Sequence, residues 1–196
     1  MSDFTAIRAV SLTLKALLKR YITDVNEPQL SGVGIDLKSP KEMQQGQGSL
    51  GVSLWLYRVV RNGDMLNQAP ERPQPNHLAH RPLPLTLHYL VTPITDEPQA
   101  KQALLGRVLQ VFHDHATLRG TDLQDTLSGS AEQLRIALET LTVDELARVW
   151  DSLDEAYMLS VSYTVQVVEI ASDLEPVQST PVVVKESTYA QILSSP

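Results

Sequence analysis

The stretch Arg81-Pro-Leu-Pro-Leu-Thr-Leu-His-Tyr-Leu-Val-Thr-Pro93 constrains the chain more than any other. Pro82 and Pro84 hold its start extended and forbid helix there, because each ring fixes its own φ and restricts the residue before it. Leu83, Leu85, Leu87, Tyr89 and Val91 then fall on one face at period two, with Thr86, His88 and Leu90 on the other. Pro93 closes the strand. Thr95-Asp96-Glu97-Pro98 opens a helix, with cap-forming side chains followed by a proline that a first turn tolerates. The segments before this strand build toward one sheet, and those after it fold back onto that sheet.

Residues 3–21 carry the period of an amphipathic helix. Ile7, Val10, Leu14, Leu17, Leu18 and Tyr21 follow the i, i+3, i+4, i+7 pattern, and Ser2 or Asp3 is placed to cap it. The aliphatic stripe suits core packing. Val33–Leu37 alternates as a short strand, and Lys38 to Ser49 is polar and Gln/Gly-rich, as loops are. From Gly51 to Val60, Val52, Leu54 and Leu56 alternate with Ser53, Trp55 and Tyr57. Both faces are largely apolar, which predicts a central strand covered on both sides.

Residues 96–114 show a helical apolar face of Leu104, Leu105, Val108, Leu109 and Phe112, ended by Gly120. A short extended piece runs from Thr121 to Leu127. Gln133–Leu138 alternates as a half-exposed strand through Leu134, Ile136 and Leu138. Thr142-Val-Asp-Glu145 is a capping box, stapled by Leu141 and Leu146. The helix behind it offers Leu146, Val149, Trp150 and Leu153 for burial. Ser160–Ile170 alternates as an antiparallel-type strand, with Val161, Tyr163, Val165 and Val167 on one face. These elements predict an α+β fold: a mixed, mainly antiparallel sheet packed with about three helices.

Two segments do not fit that scheme. Asn62-Gly63 is a turn dipeptide, yet about 20 residues follow it before Leu83, with prolines at 70, 73, 75 and 82. A structureless loop of that length is unusual in a compact domain and is often a binding or a disordered segment. Residues 173–196, with Pro176, Pro181 and the β-prone run Thr180-Pro-Val-Val-Val-Lys185, read as an arm. The expected organisation is therefore a domain over 1–172 and an extended C-terminal arm over 173–196.

Composition narrows the function classes. At 42% hydrophobic and 20% charged residues, the 196-residue chain is an ordinary globule. Its net charge of −7 argues against a nucleic-acid surface or a polybasic membrane anchor. Without cysteine there are no disulfides and no thiol chemistry. The first residues lack the basic and apolar regions of a signal peptide. No apolar run approaches the roughly 18–20 residues that span a bilayer.

A catalytic constellation does not emerge. His113-Asp-His115 is the closest histidine pair, but residues two apart on a helix point to different sides, whereas a zinc pair wants i, i+4. His77 and His80 lie in the proline-rich segment, and His88 alternates with core residues as a half-buried, satisfied histidine. Neither a nucleophile elbow nor a phosphate-binding glycine loop is present. Capping and the helix dipole account for the Asp144-Glu145 pair.

Several segments nonetheless resemble a known family in order. They are Leu56-Tyr-Arg-Val-Val-Arg-Asn62, Arg81–Pro93, Leu104-Leu-Gly-Arg-Val-Leu-Gln-Val-Phe-His113 with Leu118-Arg-Gly120, the capping-box helix ending at Trp150, and Tyr157–Val168. Over roughly residues 5–172 the chain resembles the cap, or tail-terminator, proteins of phage-tail-like contractile injection systems of the virulence-cassette and antifeeding-prophage kind. The resemblance implies a tail-terminator-like fold with no catalytic, metal or cofactor site. It implies a hexameric ring at the end of the particle away from the baseplate, ending tube growth and anchoring the last sheath layer. The implied partners are further copies of the chain and the inner-tube and sheath proteins, with neither nucleic acid nor membrane. Assembly would be cytoplasmic, with release of the particle outside the cell.

Pro70, Arg72, Pro75 and His77 in the loop and Val182, Val183 and Val184 in the arm are the expected subunit or sheath contacts. An arm of this kind can add a strand to an exposed sheet edge. The alternatives are a small metal-dependent hydrolase using His77, His80 and His113, or a baseplate or tail-fibre adaptor of the same particle.

Overall fold

In the computed structural model, residues 3–24, 32–45, 50–66 and 77–178 are described, apart from the side chains of His77 and Val167. Helix α1 (Ala6–Leu18) widens into a π turn over Lys19–Thr23. There follow β1 (Gly34–Asp36), α2 (Pro40–Gln45), β2 (Gly51–Arg61), β3 (His77–Leu78) and β4 (Leu83–Ile94). Then come α3 (Pro98–Asp114), β5 (Thr117–Arg119), β6 (Gln133–Glu139), α4 (Val143–Leu153), β7 (Val161–Ile170) and β8 (Val177–Gln178).

Six strands form one sheet in the order β1-β2-β4-β7-β6-β5. Among the described strands only the β1–β2 pair is parallel, so the α+β, mainly antiparallel expectation holds. The proline-pinned strand is its centre: β4 pairs with β2 from Leu85 to Ile94 and with β7 from Leu83 to Val91. Pro84 sits inside a strand that tolerates it poorly. Its carbonyl still accepts from Asn62 N at 2.9 Å.

Two bulges reset which side chains face the core. On β2, Leu56 opposes Tyr89 but Arg58 opposes His88, so Tyr57 is the extra residue. The inward set Val52, Leu54, Leu56 then passes to Val59, opposite Leu87, and Arg58 is turned away. On β7, Val165 opposes Leu87 and Val168 opposes Leu85, which places the extra residue between them. Val168 is buried as a result, whereas strict alternation had assigned that role to Val167, whose side chain lies outside the described set.

One sheet face is the main core. Val52, Leu54, Leu85, Leu87, Tyr89, Val91, Tyr163, Val165, Leu134 and Ile136 meet Val10, Leu14, Leu18 of α1 and Leu104, Val108, Phe112 of α3. Ser11 Oγ donates to the Ile7 carbonyl and lies 2.8 Å from the Tyr89 hydroxyl, pinning α1 to the central strand. Burial raises the Tyr89 pKa well above its ordinary value, so this hydroxyl stays a donor. Thr13 Oγ1 accepts from Gln124 N at 3.0 Å, tying the same helix to the turns before β6.

The other face carries α2 against β2 and β4, and Lys41 of α2 reaches α4. Gly51 is required there: a Cβ would come within 2.8 Å of the Gly34 carbonyl oxygen and 2.9 Å of Met43 Cε. Lys41 Nζ donates to the Leu153 carbonyl at 2.9 Å, so α2 caps the C-terminus of α4. Asp154 follows in the left-handed conformation at φ 54°.

Four expectations needed correction. Residues 40–45 are helical rather than loop. Ser39 and Glu42 form a capping box, with Ser39 N and Oγ each donating to Glu42 Oε2 at 2.8 Å and Pro40 in the first turn. The extended piece lies at Thr117–Arg119, where Leu118 is buried, and residues 120–127 form two tight 3-10 turns instead. Strand β2 is not central, because only three residues of β1 flank it. On α4 only Trp150 is fully buried; Leu146, Val149 and Leu153 are half-buried.

The capping box at Thr142 is present in both directions, with Glu145 N donating to Thr142 Oγ1 and Thr142 N to Glu145 Oε2. Trp150 is 1% exposed and its Nε1 donates to Ser160 Oγ at 3.2 Å. Thr142→Ala should therefore cost about 0.5–2 kcal/mol in urea melts. Trp150→Ala should cost about 3–5 kcal/mol, and wild-type stability in that variant would remove Trp150 from the core.

Candidate assembly interface

The residues expected at subunit or sheath contacts divide sharply. Pro70, Arg72, Pro75, Val182, Val183 and Val184 lie outside the described residues. His77 is placed by its backbone alone: it pairs with Gln178, and Leu78 with Val177, in a short antiparallel ribbon. The end of the proline-rich loop and the root of the arm therefore leave from one point. Sequence gave no hint of this pairing, because two residues on each side carry no readable period.

The sheet offers open edges for such segments to meet. Strand β1 covers only Gly51–Ser53 of β2. Among the described residues no strand pairs with the outer side of β2 from Leu54 to Arg61, a rim of roughly 26 Å at 3.3 Å per residue. Val59 on this rim is 45% exposed. At the opposite side of the sheet β5 ends against Arg135, and Leu138 beyond it is also exposed. Leu138 borders an apolar groove of about 420 Å³ shared with Leu109, Phe112, Ile136 and Tyr163.

On the second face a polar cluster joins β2, β4, β6 and β7. Glu139 Oε2 accepts from Ser162 Oγ at 2.6 Å and from the Tyr57 hydroxyl at 3.3 Å. His88 Nδ1 lies 3.0 Å from the same carboxylate. Ser162 gives its proton to Glu139, and the Tyr57 hydroxyl, 3.1 Å from Ser162 Oγ, shares its one proton between that oxygen and the carboxylate. The bulge brings Tyr57 into this set, and strand pairing brings Glu139 opposite Ser162. His88 is thus a satisfied, buried histidine. Its partner 51 residues away had no local signal in the sequence.

Of the histidines of the hydrolase alternative, His80 and His113 lie on different segments, and the side chain of His77 lies outside the described set. His113 sits on the last turn of α3, His80 precedes β4, and His115 stacks on Tyr21 with ring centroids 4.5 Å apart. Among the described residues no three His, Cys, Asp or Glu side chains are grouped to hold a metal. No helix among them is long and apolar enough to cross a membrane.

A protein-family profile matches residues 9–184, which is most of the chain. The chain belongs to the Pvc16 N-terminal domain family. Two solved structures share the fold of this family member. One is the sheath/tube terminator of an extracellular contractile injection system, PVC, in its extended state, with a TM-score of 0.64 at 20% identity. It matches 99% of this chain and 66% of its own. The other is the tube-terminating cap of the anti-feeding prophage, with a TM-score of 0.58 at 16% identity over 92% of this chain and 60% of its own. The Pvc16-type domain here thus spans about two thirds of the length of these structures. No curated protein matches it by sequence.

The polar cluster gives this domain a pH signature. Burial acts to raise the Glu139 pKa, but the hydrogen bonds from Ser162 and His88 and the His88 charge outweigh it and hold the carboxyl below its ordinary value. A carboxyl lowered in the folded state contributes stability that is fully present above its unfolded value of about 4.3 and is lost as pH falls through the folded value. Urea midpoints at pH 6 and pH 3 should therefore differ more for wild type than for Glu139→Gln. Equal differences would remove the cluster from the acid response.

Proposed function

We propose that this chain is a structural cap of a contractile injection particle, a terminator that forms a ring on the last layer of inner tube and sheath. The observation that carries this reading is the family membership over residues 9–184 together with a fold shared along 99% of the chain with a sheath/tube terminator. The surface is consistent with it. The net charge is −7, the root of the arm pairs with the end of the proline-rich loop, and among the described residues no strand pairs with the outer side of β2 from Leu54 to Arg61.

In this reading the protein is not an enzyme and acts by geometry. A ring of identical subunits uses two different patches on each copy and closes when the rotation between neighbours divides a full turn. Matching a six-fold tube makes the closure a hexamer. The ring would occupy the end of the tube away from the baseplate, block further tube addition and hold the terminal sheath layer. Pro70, Arg72, Pro75 and His77 in the loop, and Val182, Val183 and Val184 in the arm, are the contact residues of this proposal. Assembly takes place in the cytoplasm and the finished particle carries the cap outside.

Two measurements test this. Gold-labelled protein in electron micrographs of purified particles should mark the end distal to the baseplate; label at the baseplate would replace the cap by an adaptor. Light scattering at micromolar concentration should give a mass near six chains of 21.7 kDa, alone or on addition of tube. A monomer under both conditions would overturn the ring.

A further inference from the structure

We infer that the outer edge of β2, unpaired among the described residues from Leu54 to Arg61, is the acceptor for the valine triplet Val182–Val184 of a second copy, so that each subunit donates one strand and receives one. The inference rests on the ring reading and specifies its contact.

Three observations meet at this edge. First, Leu54–Arg61 is the longest strand edge left without a partner among the described residues, and such an edge presents a row of outward N–H and C=O groups that pair readily with another chain. Second, it ends in an apolar pair. Val59 and Val60 stand between Arg58 and Arg61, and Val59 remains 45% exposed although it lies opposite the core residue Leu87. A strand laid beside it would cover that side chain. Third, the chain has one segment of matching character. Val182, Val183 and Val184 are β-branched, preceded by Pro181, which suits the first position of a strand, and followed by Lys185 and Glu186.

The family match reaches Val184 and stops there, so the triplet belongs to the matched domain while residues 185–196 do not. The arm starts from Gln178, paired with His77 only a few residues before β4 begins. Val182–Val184 follow Gln178 by four to six residues, which at about 3.3 Å each span roughly 13–20 Å, so the second copy's β2 edge must pass close to this ribbon. One donor segment and one acceptor edge per copy is the pairing that a head-to-tail ring needs. Main-chain hydrogen bonds would supply the contact and the valine pair its register.

The chain contains no cysteine, so introduced thiols report this contact without background. Val59→Cys protein is mixed, under mild oxidation, with Val182→Cys, Val183→Cys or Val184→Cys protein in turn, both free and in assembled particles. The expected result is a disulfide-linked dimer in at least one mixture, more abundant than in either variant alone. Mixtures that stay monomeric, with the Val59→Cys, Val183→Cys double variant forming an intrachain bond, would overturn it in favour of pairing within one chain. Absence of any crosslink in free protein and in particles would overturn it as well. End-labelling of the particle reads the cap role separately, so a protein that labels the distal end and gives no crosslink loses only this edge contact.

Discussion

Strand β4 is the constraint on which everything else depends. It is paired along both edges, and its side chains are buried on both faces from Leu87 to Ile94. Leu87, Tyr89 and Val91 are fully covered by the layer of α1 and α3, each such side chain contributing about 1.5–3 kcal/mol. A strand used on four sides leaves no freedom in its register, because a one-residue slip would exchange its two faces. Pro82 and Pro84 at its start add to this by removing alternative helical conformations before any tertiary contact forms.

The two layers attach to this strand by different chemistry. The main core is aliphatic and closed by the Ser11–Tyr89 contact, a hydroxyl pair inside the apolar layer. The second face is of mixed character. It carries the buried Leu90 as well as the Tyr57, His88, Glu139, Ser162 cluster. A buried polar set is tolerated only when its members satisfy one another, and here both hydroxyls, His88 Nδ1 and the carboxylate are joined to one another. The bulge at Tyr57 makes this possible, since it presents a second side chain to that face where a regular strand would offer one.

Edges explain why a fold of this kind suits assembly. The sheet is flanked by β1 and β5, each three residues long, so most of β2 and the end of β6 lie outside their cover. Natural sheets normally shorten, charge or cover such rims. Arg58 and Arg61 do so in part on β2, standing on either side of Val59 and Val60. The short ribbon of β3 and β8 joins the loop and the arm at their roots, so the two segments expected to reach neighbours depart together.

The sequence by itself determined the elements whose signals are local. The β4 strand, α1, α3, the Thr142 capping box and the α+β class follow from proline placement, period and capping chemistry within a few residues. Helix α2 was equally legible: Ser39-Pro-Lys-Glu42 has the residues of a capping box, obscured by the polar composition around it. Tertiary structure alone decided the rest. Strand order depends on which edges meet, and β2 is flanked rather than central because its neighbour β1 is only three residues long. The bulges shift inward faces through the register of paired strands, which is why Arg58 and Val168 escaped simple alternation. Glu139 finds His88, and Gln178 finds His77, across 51 and 101 residues; no local pattern encodes contacts that arise only when distant strands are laid side by side.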